Sequence, residues 1–410
     1  MLRLRVFRSP ALLFATALLV RVYFFVTLFH VTSVQRVWDT GYEACHIAAS
    51  IVSGQGFSSP FGVPTGPTAW VPPLYVGILA IVFKIFGTYT TAAAWTMLLL
   101  NALFAALTAI AMYFAGERIL GNGVGVIAGW IWALSPYAVT MSIKIWETSL
   151  SALLVIAGLL LYDHVKDSSH WIAWTVWGLF WGCAMLANTV LVIFYPFLCI
   201  GAAGRDRTRF RFQIVAVAAL CAVVGPWIVR NYLQLHSLVP VRDNFGEELW
   251  LGNHEGVTGP NDESRHPLAV PAELAAYRES GERDFVAGKQ RAAIAFIAGH
   301  PAEFASLTLR RIAHFWLSPR GSGWLYISAL SFVGLALAMK KDFVGTLPFS
   351  IALLFFPISY YLTHADNWYR HPIEPLMILL IVYSLVRLWH QIAISGTGGP
   401  KRIGSDVSLT

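Results

Sequence analysis

Charge is scarce in this chain. Of 410 residues only 12% are Asp, Glu, Lys or Arg, against 57% that are hydrophobic. A water-soluble domain carries about 25% charged residues, so this chain cannot cover a water-facing surface. Its apolar content excludes intrinsic disorder, and with four cysteines it is not a disulfide scaffold. Cys183, Cys199 and Cys221 lie inside apolar runs and Cys45 stands alone, so no zinc spacing can be drawn. Nucleotide-binding patterns are missing too: there is no P-loop and no glycine fingerprint after a strand. The apolar runs that remain are too long for barrel strands, which leaves an all-α polytopic membrane protein. The net charge of +7 comes from basic residues in short loops between apolar runs. That is the positive-inside distribution, and no nucleic-acid partner is expected.

Ten transmembrane helices are expected, over roughly 10–30, 89–115, 123–140, 147–163, 170–187, 189–203, 212–231, 322–339, 343–362 and 373–390. A cleavable signal is the rival reading of the first. That stretch is long for a signal core and no small-x-small site follows it, so an uncleaved span is expected. Arg3, Arg5 and Arg8 place the N-terminus in the cytoplasm. The run Arg205, Arg207, Arg209, Arg211 and the pair Lys340–Lys341 are the next inside markers. Both fall inside only if the short apolar segment 73–86 does not cross, so it is expected to lie at the outer interface. Lys84, Trp70, Tyr75 and Tyr89 suit that place. The organisation is then a transmembrane module over 1–231 with a first outer loop at 31–88, a large extracytoplasmic loop at 232–321, C-terminal helices over 322–390 and a cytoplasmic tail at 391–410. The large loop holds half the acids of the chain, among them Asp243, Glu247, Glu248, Asp262, Glu263, Glu273, Glu282 and Asp284. It contains helical pieces, such as 271–285 and 290–316, and is expected to be mostly ordered.

Three constellations could carry chemistry. If the first loop is helical, Asp39, Glu43 and His46 lie at i, i+4 and i+7 on one face, which suits a general base or a divalent-metal corner. The plainer reading is a capped, solvated interfacial helix. Next come Gly54, Gly56, Pro60, Gly66, Pro67, Pro72 and Pro73 with Phe57, Phe61, Trp70 and Tyr75 between them. This density of turn formers and aromatics suits an ordered wall of a site better than a linker. Third, Lys144 and Glu147 precede the fourth span on the same side as Glu43, although an acid in a first helical turn also simply complements the helix dipole. Cations gather there as well: Arg230, Arg310, Arg311 and Arg370. Arginines on an outer face ask for anionic partners, either phosphate or the loop's own acids. Arg21, inside the first span, needs a partner that the sequence does not name.

In these residues the chain resembles the GT-C glycosyltransferases, in particular the bacterial branch related to protein O-mannosyltransferases and lipid A aminoarabinose transferases, glycosyltransferase family 39. The resemblance rests on Asp39 and Glu43 running into Ile47-Ala48 and Gly54-x-Gly56-Phe57, on Pro73-Leu74-Tyr75 with Phe86-Gly87, on Glu147, and on Arg370-His371-Pro372-Ile373-Glu374-Pro375. It implies a polyprenyl-phosphate-linked sugar donor and a glycan, lipid or protein acceptor. Transfer would take place on the periplasmic side of a bacterial inner membrane. A first-loop carboxylate would act as general base, with inversion at the anomeric carbon. The family shows an adjacent Asp-Glu pair, whereas here Asp39 is followed by Thr40; Glu43, one turn before Ile47, is therefore expected as the base, ahead of Asp39. Glu147 matches the family's second acid. Lys144, Arg230, Arg370, His371 and Tyr75 are the substrate or donor-phosphate candidates, and His254 is a further candidate in the substrate loop. A divalent metal is left open, with Glu43, His46 and Glu147 as candidate ligands. A transporter or flippase, a ligase joining whole glycans and a non-catalytic scaffold are the competing classes; the asymmetry of the chain and the gathering of acids and cations on one face favour the transferase.

Overall fold

A computed structural model describes residues 7–121, 123–203, 209–257, 259–260, 265–317 and 323–396. Arg3, Arg5, Arg205, Arg207, Asp262, Glu263 and most of the tail lie outside them. Among the described residues the chain is helical, and its only β pairing is a single bridge between Ser58 and Pro67.

The chain opens with α1 (Pro10–Val31), started by Pro10 and by the Ser9 hydroxyl, which accepts from the Leu12 N–H. The first loop holds α2 (Val34–Trp38), α3 (Tyr42–Val52) and α4 (Pro73–Phe86). Helices α5 (Thr91–Ala115), α6 (Val124–Leu134), α7 (Pro136–Met141), α8 (Thr148–Val165), α9 (Trp171–Ala187), α10 (Phe194–Ala203) and α11 (Phe210–Leu235) follow. The second loop holds α12 (Phe245–Gly252), α13 (Pro271–Ser280), α14 (Glu282–Gly299) and α15 (Pro301–Leu317). Then come α16 (Gly323–Lys341), α17 (Leu347–Leu354), α18 (Ile358–Leu362) and α19 (Glu374–Gly396).

Helices stand where nine of the ten expected spans and the short segment 73–86 begin and end, give or take a few residues. Among the described residues five stretches are long and apolar enough to cross a membrane alone: Pro10–Val31, Thr91–Leu120, Thr148–Val165, Phe210–Leu235 and Trp368–Ile392. Of the other expected spans, that at 322–339 is the continuous 19-residue helix Gly323–Lys341, and the rest are shorter or interrupted. Ser135-Pro136 breaks the third, because proline supplies no N–H and disfavours helix in the residue before it. Pro357 stands in the break of 343–362. The segment 73–86 is a 14-residue helix, too short to span.

The break at Ser135 explains the buried arginine of α1. Helix α6 ends with unsatisfied carbonyls. Arg21, fully buried, donates to the carbonyls of Ala133 at 3.3 Å and Trp132 at 3.4 Å, and to the Ser142 hydroxyl at 3.1 Å. It also donates to the Ala17 carbonyl of its own helix at 2.9 Å, so its hydrogen-bond partners are carbonyls and a hydroxyl, with no carboxylate among them. Elsewhere the helices pack on small residues: a Cβ on Gly178 of α9 would lie 2.0 Å from the Ala216 carbonyl of α11.

Candidate functional site

The two loops meet at one end of the bundle. Segment 68–70 of the first loop is gripped from several directions. The Asp243 N–H donates to the Ala69 carbonyl at 2.9 Å, and Arg242 Nε donates to the Trp70 carbonyl at 2.9 Å. Glu282, at the start of α14, accepts from the Ala69 N–H at 2.7 Å, from the Tyr277 hydroxyl at 2.8 Å and from the Thr68 hydroxyl. Burial pushes the Glu282 carboxyl up to about 7, against the pull of those donors.

Beside this grip lies Glu43, in the first turn of α3 and 8% exposed. Its Oε1 is 3.2 Å from His266 Nε2 of the second loop. Burial alone would raise the Glu43 pKa. The hydrogen bond from His266, the charge of its ring when that is protonated, and Arg242 outweigh burial and hold the carboxyl below its ordinary value. Glu147 immediately precedes α8, and both Glu43 and Arg242 act on it electrostatically. Arg242 in turn donates to Glu248 at 2.6 Å, and the other Glu248 oxygen meets His364 Nε2. Burial opposes ionisation of Glu248, yet Arg242 and His364 bring its pKa down to about 2. The result is one cation, Arg242, among three acids: Glu43, Glu147 and Glu248. Next to them Glu247 is 1% exposed, with neither carboxylate oxygen hydrogen-bonded to a described residue. Burial pushes it up to about 8.

The expected helical face of Asp39, Glu43 and His46 is broken. Asp39 caps α2, a 3₁₀ turn follows, and Tyr42 takes φ +41° before α3 begins. Asp39 is exposed and accepts from Gln35 Nε2 at 2.9 Å, so Glu43 is the acid turned inward. His46, one turn after Glu43, directs Nδ1 to the Tyr89 hydroxyl at 3.3 Å. Among the described residues no three His, Cys, Asp or Glu side chains are gathered as a metal-ligand group.

The phosphate candidates divide. Lys144 stays by the site, its Nζ 4.0 Å over the Trp368 ring. Tyr75 donates to Asn101 at 3.1 Å, and Asn101 donates to the Lys144 carbonyl at 2.7 Å, so Tyr75 braces that turn from within the core. Arg230 is spent on the first loop: it donates to the carbonyls of Thr68 and Phe57, each at 2.6 Å. Arg370 and His371 are fully buried. Arg370 donates to Glu374 at 3.3 Å and His371 stacks on Trp132, so neither is presented to an incoming phosphate. His254, 6% exposed, lies tilted against Trp250 with ring centroids 4.9 Å apart, and its Nδ1 meets the Glu255 carbonyl at 2.8 Å.

Arg242, Glu248, His266, His364 and Glu282 escaped the sequence reading as site residues. Only the acid-rich character of the second loop pointed toward Arg242, Glu248, His266 and Glu282, and nothing in the sequence pointed to His364, which lies beyond that loop, after α18.

Residues 70–229 match the family described as dolichyl-phosphate-mannose-protein mannosyltransferase. A comparison with curated proteins finds no match. Among solved structures, the apo oligosaccharyltransferase of Archaeoglobus fulgidus is similar at 13% identity, with a TM-score of 0.55, over 97% of this chain and 53% of that one. The same organism's AglB, in complex with an inhibitory peptide and a dolichol-phosphate, is similar at 14% identity and a TM-score of 0.51, over 89% and 49%. ArnT from Cupriavidus metallidurans, bound to undecaprenyl phosphate, shares 12% identity over 91% and 80%, with a TM-score of 0.40. The chain spans about half the length of the archaeal structures it matches. The chain shares the GT-C-type fold of these archaeal structures, and residues 70–229, less than half of it, match the mannosyltransferase family.

Proposed function

We propose that the chain transfers a sugar from a polyprenyl-phosphate donor to an acceptor hydroxyl on a glycan, lipid or protein, on the extracytoplasmic face of a bacterial inner membrane. The observation that carries this reading is the buried Glu43 beside Arg242 and Glu147, at the end of the bundle where both loops meet. The family description names a lipid-phosphate mannose donor, and the archaeal AglB structure holds a dolichol-phosphate.

Glu43, kept ionised, takes the proton of the acceptor hydroxyl. The oxygen forms a bond to the anomeric carbon as the bond from that carbon to the phosphate oxygen breaks, and configuration inverts. The electron pair leaves with the polyprenyl phosphate, whose charge Arg242 and Lys144 stabilise. Glu147, on which both Glu43 and Arg242 act electrostatically, orients the acceptor. No step is assigned to a metal.

The test uses the full chain in lipid nanodiscs, with radiolabelled mannosyl-phosphoryl-polyprenol first and other polyprenyl-phosphate sugars after it, and a membrane extract as acceptor source. Label should move from one donor to the extract, and Glu43→Gln should slow that transfer by about 10²–10⁴-fold, the usual worth of a general base. A folded preparation that moves label from none of the donors sinks the transferase reading. An unimpaired Glu43→Gln variant removes Glu43 as base and passes the role to Asp39.

A further inference from the structure

The group next to Glu43 has a geometry of its own. His266 opens a tight turn in which its carbonyl accepts from the N–H groups of Ala269 at 2.8 Å and Val270 at 3.0 Å. Pro267 presets the backbone at the second position of that turn. The turn aims the Leu268 N–H back at the imidazole, 3.2 Å from Nδ1. A ring nitrogen that accepts a hydrogen bond carries no proton, so the proton of the neutral ring sits on Nε2. Nε2 is the atom that faces Glu43 Oε1, at 3.2 Å. The ring is held edge-on by Phe61 and Trp70, with centroids 5.7 and 5.9 Å away.

We propose that His266 is a positioning residue for the base: fixed in its Nε2–H tautomer by the Leu268 N–H, it engages one oxygen of Glu43 and leaves the other for the acceptor hydroxyl. The proposal rests on Glu43 being that base. A donor-only neighbour suits the role. It fixes the carboxylate's rotamer and does not compete for the proton that Glu43 must collect. Glu43, Glu247 and Glu248 surround the ring and favour its protonation, while Lys289 and Arg242 stand behind those acids. A proton on Nδ1 would break the Leu268 bond and loosen the turn, so the turn opposes the acids directly. Because His266 belongs to the second loop and Glu43 to the first, the base is oriented only while the two loops are docked.

Two measurements test this. Transfer by the full chain is compared in His266→Leu, which removes the donor, and His266→Gln, whose amide places an N–H near Nε2. The Leu variant should lose about 10²-fold in kcat, the cost of a misplaced catalytic group, with the donor KM unchanged, and the Gln variant should recover most of that loss. Equal losses in the two variants, or full kcat in the Leu variant, overturn the proposal. Glu43→Gln, assayed alongside, separates the failures: if it is fully active the base reading itself falls, whereas an inactive Glu43→Gln with an unimpaired His266→Leu sinks only the positioning role. The second measurement needs no substrate. In protein labelled with ¹⁵N in its histidine rings, the His266 signals, assigned by their loss in His266→Gln, should show one protonated and one bare nitrogen at about pH 8, above the ordinary imidazole range. Two protonated nitrogens there would refute the tautomer.

Discussion

The Asp243 N–H donates to the Ala69 carbonyl at 2.9 Å, and this one main-chain bond joins the second loop to the first beside Trp70. Around it Arg242 holds the Trp70 carbonyl, Glu282 the Ala69 N–H and Arg230 the Thr68 carbonyl. Removing the Glu282 carboxylate would leave the buried Ala69 N–H and Tyr277 hydroxyl without their acceptor. An unsatisfied buried group costs about 1–3 kcal/mol. Glu282→Ala is therefore expected to lower the melting temperature in detergent and to speed proteolysis within 232–321. Unchanged cleavage kinetics would show that the grip does not hold the loop down.

The same acid predicts a pH dependence. Its pKa is raised on folding, from 4.5 to about 7, so between those values the folded chain binds a proton that the unfolded chain has lost. Its contribution to stability is complete below 4.5 and is lost as pH rises through about 7. Glutamine imitates the neutral acid and does not titrate. Relative to Glu282→Gln, the wild-type chain should therefore lose melting temperature as pH climbs through that window. Parallel curves for the two proteins would contradict it.

Arg242 is the cation that Glu43, Glu147 and Glu248 share. Arg242→Leu should lower kcat by about 10²–10³-fold, the worth of one charge-stabilising donor. It should also weaken inhibition by free polyprenyl phosphate, which resembles the leaving group. Arg242→Lys keeps the charge, cannot bridge Trp70 and Glu248 together, and should fall between. The checks are steady-state transfer and product-inhibition constants. A folded Leu variant with the wild-type rate would remove Arg242 from the site.

The helices and the inward acid were legible because both are local properties. Apolar runs are written into consecutive residues, and the short segment 73–86 was set apart by its length and by the basic residues that fix the parity of the spans. Glu43 stood out by its spacing from Ile47. The partners of that acid were not legible, since His266 lies far along the chain and reaches Glu43 only because the grip on 68–70 brings the second loop across. For the same reason arginines could be counted but not sorted. Arg230 and Arg370 carry the charge a phosphate needs, yet the Thr68 and Phe57 carbonyls and Glu374 already take their donors. Only three-dimensional packing left Arg242 facing the acids. The face expected of Asp39, Glu43 and His46 failed on one backbone angle, the positive φ of Tyr42, which no spacing announces.

A last prediction concerns how the second loop is seated on the C-terminal helices. Gly252 ends α12, and a Cβ there would lie 1.8 Å from the Thr363 carbonyl oxygen, closer than any side chain can sit. The contact is pinned on both sides: Arg311 donates to the Gly252 carbonyl, and Asn253 Nδ2 donates to the Leu362 carbonyl at 2.9 Å. His364, one residue beyond Thr363, is the partner of Glu248. Gly252→Ala must therefore push segment 362–364 away and take His364 with it. Overpacking of this kind costs about 1–3 kcal/mol, and the displacement should lower transfer as well as stability. Gly299, at the end of α14, has nothing within 4 Å of its would-be Cβ. Gly299→Ala should leave both unchanged or raise stability slightly, since alanine restricts the unfolded chain more than glycine does. Thermal unfolding and transfer rates of the two variants decide it. Equal behaviour of Gly252→Ala and Gly299→Ala would mean that α12 is not seated against Thr363.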